Sequence, residues 1–142
     1  MKYVLYYWSR YGHNKKIVDY LGTKLKDKSK NVEIINVEGA DPANIPDADL
    51  YVFSAPTEAF NVQKNMRKFM KKLETMDGKK YGIINTHGMN KNWLSKMEKY
   101  LKNTNMQKVA ETDLIVKGEG QKEGNGFIED WQEKIDAFSK KL

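Results

Sequence analysis

The sequence predicts an α/β fold: a five-stranded parallel sheet in spatial order 2-1-3-4-5 with helices on both faces. Three observations predict it. Five apolar runs of strand length alternate with amphipathic segments of helical period along the 142 residues, the pattern that leaves a parallel sheet covered on both sides. The first run, Tyr3 to Trp8, is continuously aromatic and branched, as a strand buried on both faces has to be. Between it and the first amphipathic segment lies Ser9 to Asn14, S-R-Y-G-H-N, a polar turn with one glycine. Where a strand hands over to a helix in this way, backbone N–H groups point outward at the positive end of the helix dipole, a place to hold phosphate.

Along the chain, Ile17, Val18, Leu21 and Leu25 recur at helical spacing, and the lysines between Lys24 and Lys30 suit a helix C-terminus. Val32, Ile34, Ile35 and Val37 mark a second strand. Asp41 to Asp49 contains Pro42 and Pro46 and is expected to be a loop or a single helical turn. Leu50 to Phe53 is the third strand, followed by a loop from Ser54 to Asn61, S-A-P-T-E-A-F-N. Val62, Met66, Phe69, Met70 and Leu73 then form an apolar helical stripe. After the Asp77-Gly78 turn, Tyr81 to Asn85 is the fourth strand, and it leads into a loop from Thr86 to Asn92, T-H-G-M-N-K-N. Trp93, Met97, Tyr100 and Leu101 mark the next helix. Val109 to Val116 is an edge strand with polar residues inside it. A charged, glycine-rich loop runs from Lys117 to Gly126, and Ile128, Trp131, Ile135, Phe138 and Leu142 share one face of the last helix.

Composition narrows the chemistry. The length suits one domain with a real core, and 39% hydrophobic with 31% charged residues suits a globular chain. No run approaches membrane-spanning length and the N-terminus lacks a signal-peptide layout, so a cytoplasmic protein is expected. With no cysteine and two histidines, thiolate metal sites, iron–sulfur clusters and a catalytic thiol are excluded and no metal site is expected. The formal net charge is +6, and Asn61 to Lys80 holds seven Lys/Arg against two Asp/Glu, a local +5. Such a run is either a solvated helix face or a surface that attracts an acidic partner. Nucleic-acid binding is disfavoured, because no exposed aromatics interleave with the cations.

In a sheet of order 2-1-3-4-5, ligands bind beyond the C-terminal strand ends, where the loops after strands one, three and four lie side by side. The first offers the phosphate turn, the second Pro56, Thr57, Glu58 and Phe60, and the third Thr86, His87, Gly88, Met89 and Asn90. A ligand with a phosphate at one end and a flat, partly polar ring at the other suits these three loops, and flavin mononucleotide (FMN) has that shape.

The W-S-x-x-G-x-N turn, the S-A after strand three, and the later W-L-S-K-M-E-K-Y and E-T-D-L-I-V-K segments resemble the short-chain flavodoxins. S-R-Y-G-H and A-P-T-E-A-F-N-V-Q-K-N-M-R-K-F are also similar to motifs of flavodoxin-fold NAD(P)H:quinone oxidoreductases related to the tryptophan-repressor-binding protein. The resemblance implies a three-layer flavodoxin-like fold and FMN as cofactor. It places Ser9, Arg10, Tyr11, Gly12, His13 and Asn14 around the phosphate, with Asn14 also able to cap the helix, and has Ser54 reach towards the same end. Pro56, Thr57, Glu58, Ala59 and Phe60 cover one ring face, and Thr86, His87, Gly88, Met89 and Asn90 line the other. His87, if it faces the ring, can give charge to a reduced flavin or a proton to a quinone; Glu58 is expected to be solvated.

Departures from that pattern shape the functional expectation. Tyr11 and Asn14 stand where flavodoxins carry threonine, Met89 where short-chain relatives carry tryptophan, and no glycine lies between Ser54 and Asn61. A peptide flip at Glu58-Ala59 on flavin reduction is therefore costly, and stabilisation of the one-electron-reduced flavin is expected to be weak. The basic chain predicts a less negative potential than in acidic flavodoxins. The leading reading is a flavin-binding electron carrier working with redox partner proteins, acidic ones if the basic helix steers them, and a monomer. The alternatives are an FMN-dependent NAD(P)H:quinone oxidoreductase and a binding module of the same fold that has lost the flavin.

Overall fold

In the computed structural model, which describes residues 1–142, β1 (Lys2–Tyr7) lies inside the sheet between two parallel neighbours, β2 (Asn31–Asn36) and β3 (Leu50–Glu58). Its Tyr3, Val4, Leu5 and Tyr6 are all buried, as a strand covered on both faces requires. β3 pairs in parallel with β5 (Lys80–His87), and β5 with β6 (Gln107–Ile115). The principal strands therefore run β2-β1-β3-β5-β6, the predicted order, with a two-residue strand β4 (Asn61–Val62) added antiparallel to the end of β3.

Alternate side chains of β1 feed two cores. Tyr3 and Leu5 pack with Ile17, Val18, Leu21 and Leu25 of α1 (His13–Asp27) and with Ile135 and Phe138 of α4 (Trp131–Ser139). Val4, Tyr6 and Trp8 pack with Met66, Phe69 and Met70 of α2 (Lys64–Lys71) and Met97 of α3 (Leu94–Tyr100). Each fully buried aliphatic side chain in these layers contributes roughly 1.5–3 kcal/mol by leaving water. Ile128 lies outside α4 and is exposed, so the last helix is shorter than its apolar stripe suggests. No helix is long and apolar enough to cross a membrane.

The register builds a ledge. Tyr7, the last residue of β1, aligns with Ser54, and Ser54 aligns with Ile84. β3 runs on to Glu58 and β5 to His87, so both project past the end of β1 and support the turn from Ser9 to Asn14. Two predicted loop segments are thereby corrected: Ser54 to Glu58 is strand, returning through β4 as a hairpin, and Thr86 and His87 are the last residues of β5. The A-P-T-E stretch has no apolar periodicity, and its strand character comes from pairing, Pro56 with Thr86 and Thr57 with Val62. Pro56 is tolerated because it faces the side where β1 has already ended, so its missing N–H breaks no ladder bond. On that side its carbonyl accepts from Gln63 N at 3.0 Å.

Candidate functional site

The turn after β1 ends in Gly12, whose φ of 102° is a left-handed conformation that glycine adopts without cost, and the helix starts at His13. The Gly12 N–H donates to Ser9 Oγ at 3.0 Å, which folds the turn back on itself. The backbone N–H groups of Arg10, Tyr11, His13, Asn14 and Lys15 have no acceptor within the protein. They form a row of free donors at the positive end of a 15-residue helix, the geometry that binds phosphate.

The polar side chains of this turn are mostly committed elsewhere. Asn14 is buried; its Oδ1 accepts from Ser54 Oγ at 2.7 Å and its Nδ2 donates to Thr86 Oγ1 at 3.0 Å. It ties α1 to the ledge of β3 and β5, and it does not cap the helix, because Gly12 occupies the cap position and no side chain caps. Ser54 is likewise fully buried beneath the cleft, so its expected reach towards a ligand is corrected: its hydroxyl is spent on Asn14. His13 Nε2 meets the Asn125 carbonyl at 2.6 Å, and its ring packs edge-on against Phe127 at 5.2 Å. Burial pushes the pKa of His13 down from its ordinary 6.5.

His13 thus fastens the glycine-rich loop, residues 117–126, over the turn, and Lys16 Nζ donates to the Gly124 carbonyl at 2.8 Å beside it. The loop is closed at its neck by a bridge between Val116 and Phe127 and by Lys117 N donating to Gly126 O at 3.0 Å. Gly124, at φ 82°, sits so close to the turn that a Cβ there would lie 2.9 Å from Tyr11 O.

Above this floor opens a cleft of about 300 Å³ lined by Arg10, Tyr11, His13, Asn14, Pro56, Thr57, Glu58, Thr86, His87 and Gly88, with Val116, just past β6, and Gln121 of the glycine-rich loop completing it. It gathers all three loops that the topology points to. Across its mouth Arg10 grips Glu58 with two hydrogen bonds, 2.5 and 2.7 Å, while its guanidinium lies 5.0 Å over the Trp8 ring. Glu58 is therefore not simply solvated, and its carboxylate raises the pKa of Arg10.

Thr57, His87 and Gly88 also line a neighbouring slot of about 220 Å³, walled by Ala59, Phe60, Met89 and Trp93. Phe60 stands 77% exposed at the tip of the β3–β4 hairpin and Met89 53% exposed opposite. The tip is unusual: Ala59 and Phe60 both have positive φ, 51° and 60°, where hairpins ordinarily use asparagine and glycine. Trp93 Nε1 donates to the Phe60 carbonyl at 3.0 Å and fixes the tip from below. Asn85, wholly buried at the end of β5, donates to Ala55 O and Thr57 Oγ1, both at 3.1 Å, and accepts from Trp93 N at 2.9 Å. Ser9, Gly12 and Asn90 line neither opening.

His87 is buried behind the slot. Its Nδ1 donates to the Met89 carbonyl, and its Nε2 meets Asp113 Oδ2 at 2.6 Å. Both nitrogens are occupied, so the expectation of a ring-facing imidazole gives way to a residue that shapes the Met89 loop. Asn85, Asp113, Val116, Gln121 and Asn125 join the site without having been expected there; a polar residue closing the apolar run of β5 is the only signal in the sequence, and it points to Asn85.

A family model described as Flavodoxin domain matches residues 4–120. No curated protein matches the chain at a significant level. Among solved structures, the chain is similar to a flavodoxin of Streptococcus pneumoniae TIGR4, with a TM-score of 0.80 at 18% identity, covering 100% of this chain and 97% of that one. A short-chain flavodoxin associated with a non-canonical PDU bacterial microcompartment gives a TM-score of 0.77 at 15% identity, covering 100% and 96%. Rubredoxin oxygen:oxidoreductase from Desulfovibrio gigas gives 0.80 at 13% identity, and there the chain covers only 35% of the larger protein.

Proposed function

We propose, because this chain belongs to the flavodoxin-domain family, that it binds FMN across the cleft and slot and carries electrons between larger redox proteins. The observation that carries this reading is the continuity of the two openings. Free N–H donors at the turn are joined, through Thr57, His87 and Gly88, to a slot walled by Phe60 and Met89. An anion and a flat ring are the two chemistries those ends accept, and FMN presents both.

The phosphate fits the row of N–H groups from Arg10 to Lys15, with no hydroxyl needed from the turn. The ring fits between the Phe60 side chain and the Met89 thioether, which packs on an aromatic face but holds it less rigidly than tryptophan. Flavin supplies reversible uptake of electrons; the chain supplies position and electrostatics. The hairpin tip is already left-handed at two consecutive residues and tied by Trp93, so it offers no free peptide to swing towards a reduced ring. The net charge of +6 favours an anionic reduced flavin and raises the potential above that of an acidic flavodoxin.

Titrating the purified protein with FMN tests the reading. One-to-one quenching of flavin fluorescence is expected, with riboflavin, which lacks the phosphate, binding far more weakly. Absence of FMN uptake would sink it. Rapid oxidation of NAD(P)H with a quinone, without a separate reductase, would replace the carrier by the quinone reductase.

A further inference from the structure

The slot opens beside a surface whose charge the fold does not neutralise. α2 carries Lys64, Arg67, Lys68 and Lys71 and no carboxylate. Lys64 and Lys68 are one turn apart, and like charges at that spacing destabilise a helix; Lys64 also sits at the positive end of the dipole, which disfavours a cation. Lys64 gains nothing within the chain from its position, whereas Lys68 and Lys71 in the last turn suit the helix C-terminus.

Three of the seven lysines on the other helices that flank the sheet are paired with carboxylates, and so is Lys108 on the edge strand. Lys15 pairs with Asp19, Lys24 with Asp136, Lys108 with Glu98 and Glu111, and Lys134 with Glu129. No carboxylate pairs with Lys64, Lys68, Lys71 or Lys91, although all four are exposed. Lys71 instead lies 4.8 Å over the Tyr100 ring and Lys91 5.2 Å over the Trp93 ring, which holds both ammonium groups in place without neutralising them. Trp93 is the residue that ties down the Phe60 tip, and Tyr100 OH donates to Asn61 Oδ1 at 2.8 Å in the same hairpin. The cations and the exposed Phe60 and Met89 thus belong to one connected face.

We propose that this face, Lys64, Lys68, Lys71 and Lys91 around Phe60 and Met89, docks an acidic electron-transfer protein. The proposal rests on the carrier reading and names its partner class. A small apolar centre with a rim of one charge is how a transient interface combines a fast encounter with close approach. The apolar centre here lies over the slot where the ring would sit. The partner recognised is a protein with a carboxylate-rich rim about its own redox group.

The test uses a reduced acidic [2Fe–2S] ferredoxin as donor and the FMN-loaded protein as acceptor in stopped flow, with basic cytochrome c as the opposite-charge probe oxidising the reduced protein. With ferredoxin the rate is expected to fall at least tenfold between low and high salt, and at least tenfold at low salt on Lys64→Glu, Lys68→Glu, Lys71→Glu and Lys91→Glu combined. With cytochrome c the same variant is expected to react faster than the parent. Ferredoxin rates indifferent to salt and to charge reversal would overturn the proposal. A second measurement separates it from the carrier reading: ferredoxin is titrated into the isotopically labelled flavin-free chain. Amide shifts confined to residues 60–72 and 89–91 support the surface even if FMN is not taken up, and shifts elsewhere, or none, overturn it.

Discussion

Replacing Asn14 by alanine separates two roles for the phosphate turn. If the side chain ties the turn to the sheet, Asn14→Ala leaves the buried hydroxyls of Ser54 and Thr86 without the partners they have at 2.7 and 3.0 Å. An unsatisfied buried group costs roughly 1–3 kcal/mol, and one of the two hydroxyls can rotate to another acceptor, so the loss is about 3 kcal/mol. With a urea m-value of about 2 kcal/mol/M for a chain of this size, the midpoint falls by about 1.5 M. Urea unfolding of the flavin-free protein, followed by circular dichroism, measures it. The free backbone N–H of residue 14 survives in alanine, so on the proposed binding mode the FMN dissociation constant of the folded protein is expected to rise less than about tenfold. A midpoint shift below about 0.3 M together with a hundredfold loss of FMN affinity would refute the reasoning and make Asn14 a direct ligand.

Three other substitutions probe the same architecture. Gly124→Ala forces a Cβ to within 2.9 Å of Tyr11 O at a φ of 82°, and at about 2 kcal/mol it lowers the melting temperature by about 6 °C; an unchanged melting temperature and FMN affinity would show that the loop does not press on the turn. Because burial lowers the His13 pKa below its ordinary 6.5, the unfolded chain binds the proton first. The His13 contribution is therefore complete above that value and declines as pH falls from it towards the lower folded pKa. His13→Gln keeps a donor for Asn125 but cannot titrate, so the stability difference between parent and variant shrinks from pH 8 to pH 5.5 in urea unfolding; a constant difference contradicts the assignment. Glu58→Gln removes the carboxylate from an exposed pair with Arg10, is expected to leave stability nearly unchanged because solvent screens the pair, and is expected to tighten FMN about threefold to tenfold in a fluorescence titration, whereas weaker binding would show that Glu58 itself helps hold the ligand.

Periodicity makes the main strands and helices legible, because Tyr3 to Tyr6 and the Met66, Phe69, Met70 stripe have to alternate or recur as the two cores demand. The hairpin is not legible. Ala59 and Phe60 are poor residues for a left-handed turn, and only the pairing of Thr57 with Val62 and the bond from Trp93 hold them there. The turn proposed to hold phosphate stands out by its glycine and its place after the first strand, but the use of its side chains does not. His13 reaches a carbonyl 112 residues away and Asn14 a hydroxyl 72 residues away, and no local pattern encodes such partners. Glu58 reads as solvated for the same reason, since Arg10 lies 48 residues back.

Those long-range bonds also bear on which flavin chemistry the cleft suits. A quinone reductase has to deliver protons along with electrons, and the groups able to do so here are engaged. The His87 ring is held between the Met89 carbonyl and Asp113, His13 faces the Asn125 carbonyl, and Glu58 is locked to Arg10. Tyr11 remains at the mouth, 39% exposed. A carrier needs none of these protons from the protein. It needs a ring edge reachable by a partner and a site that reorganises little, and the exposed Phe60 tip, tied by Trp93, favours the carrier reading proposed above. A quinone bound over this slot would have to be protonated from water.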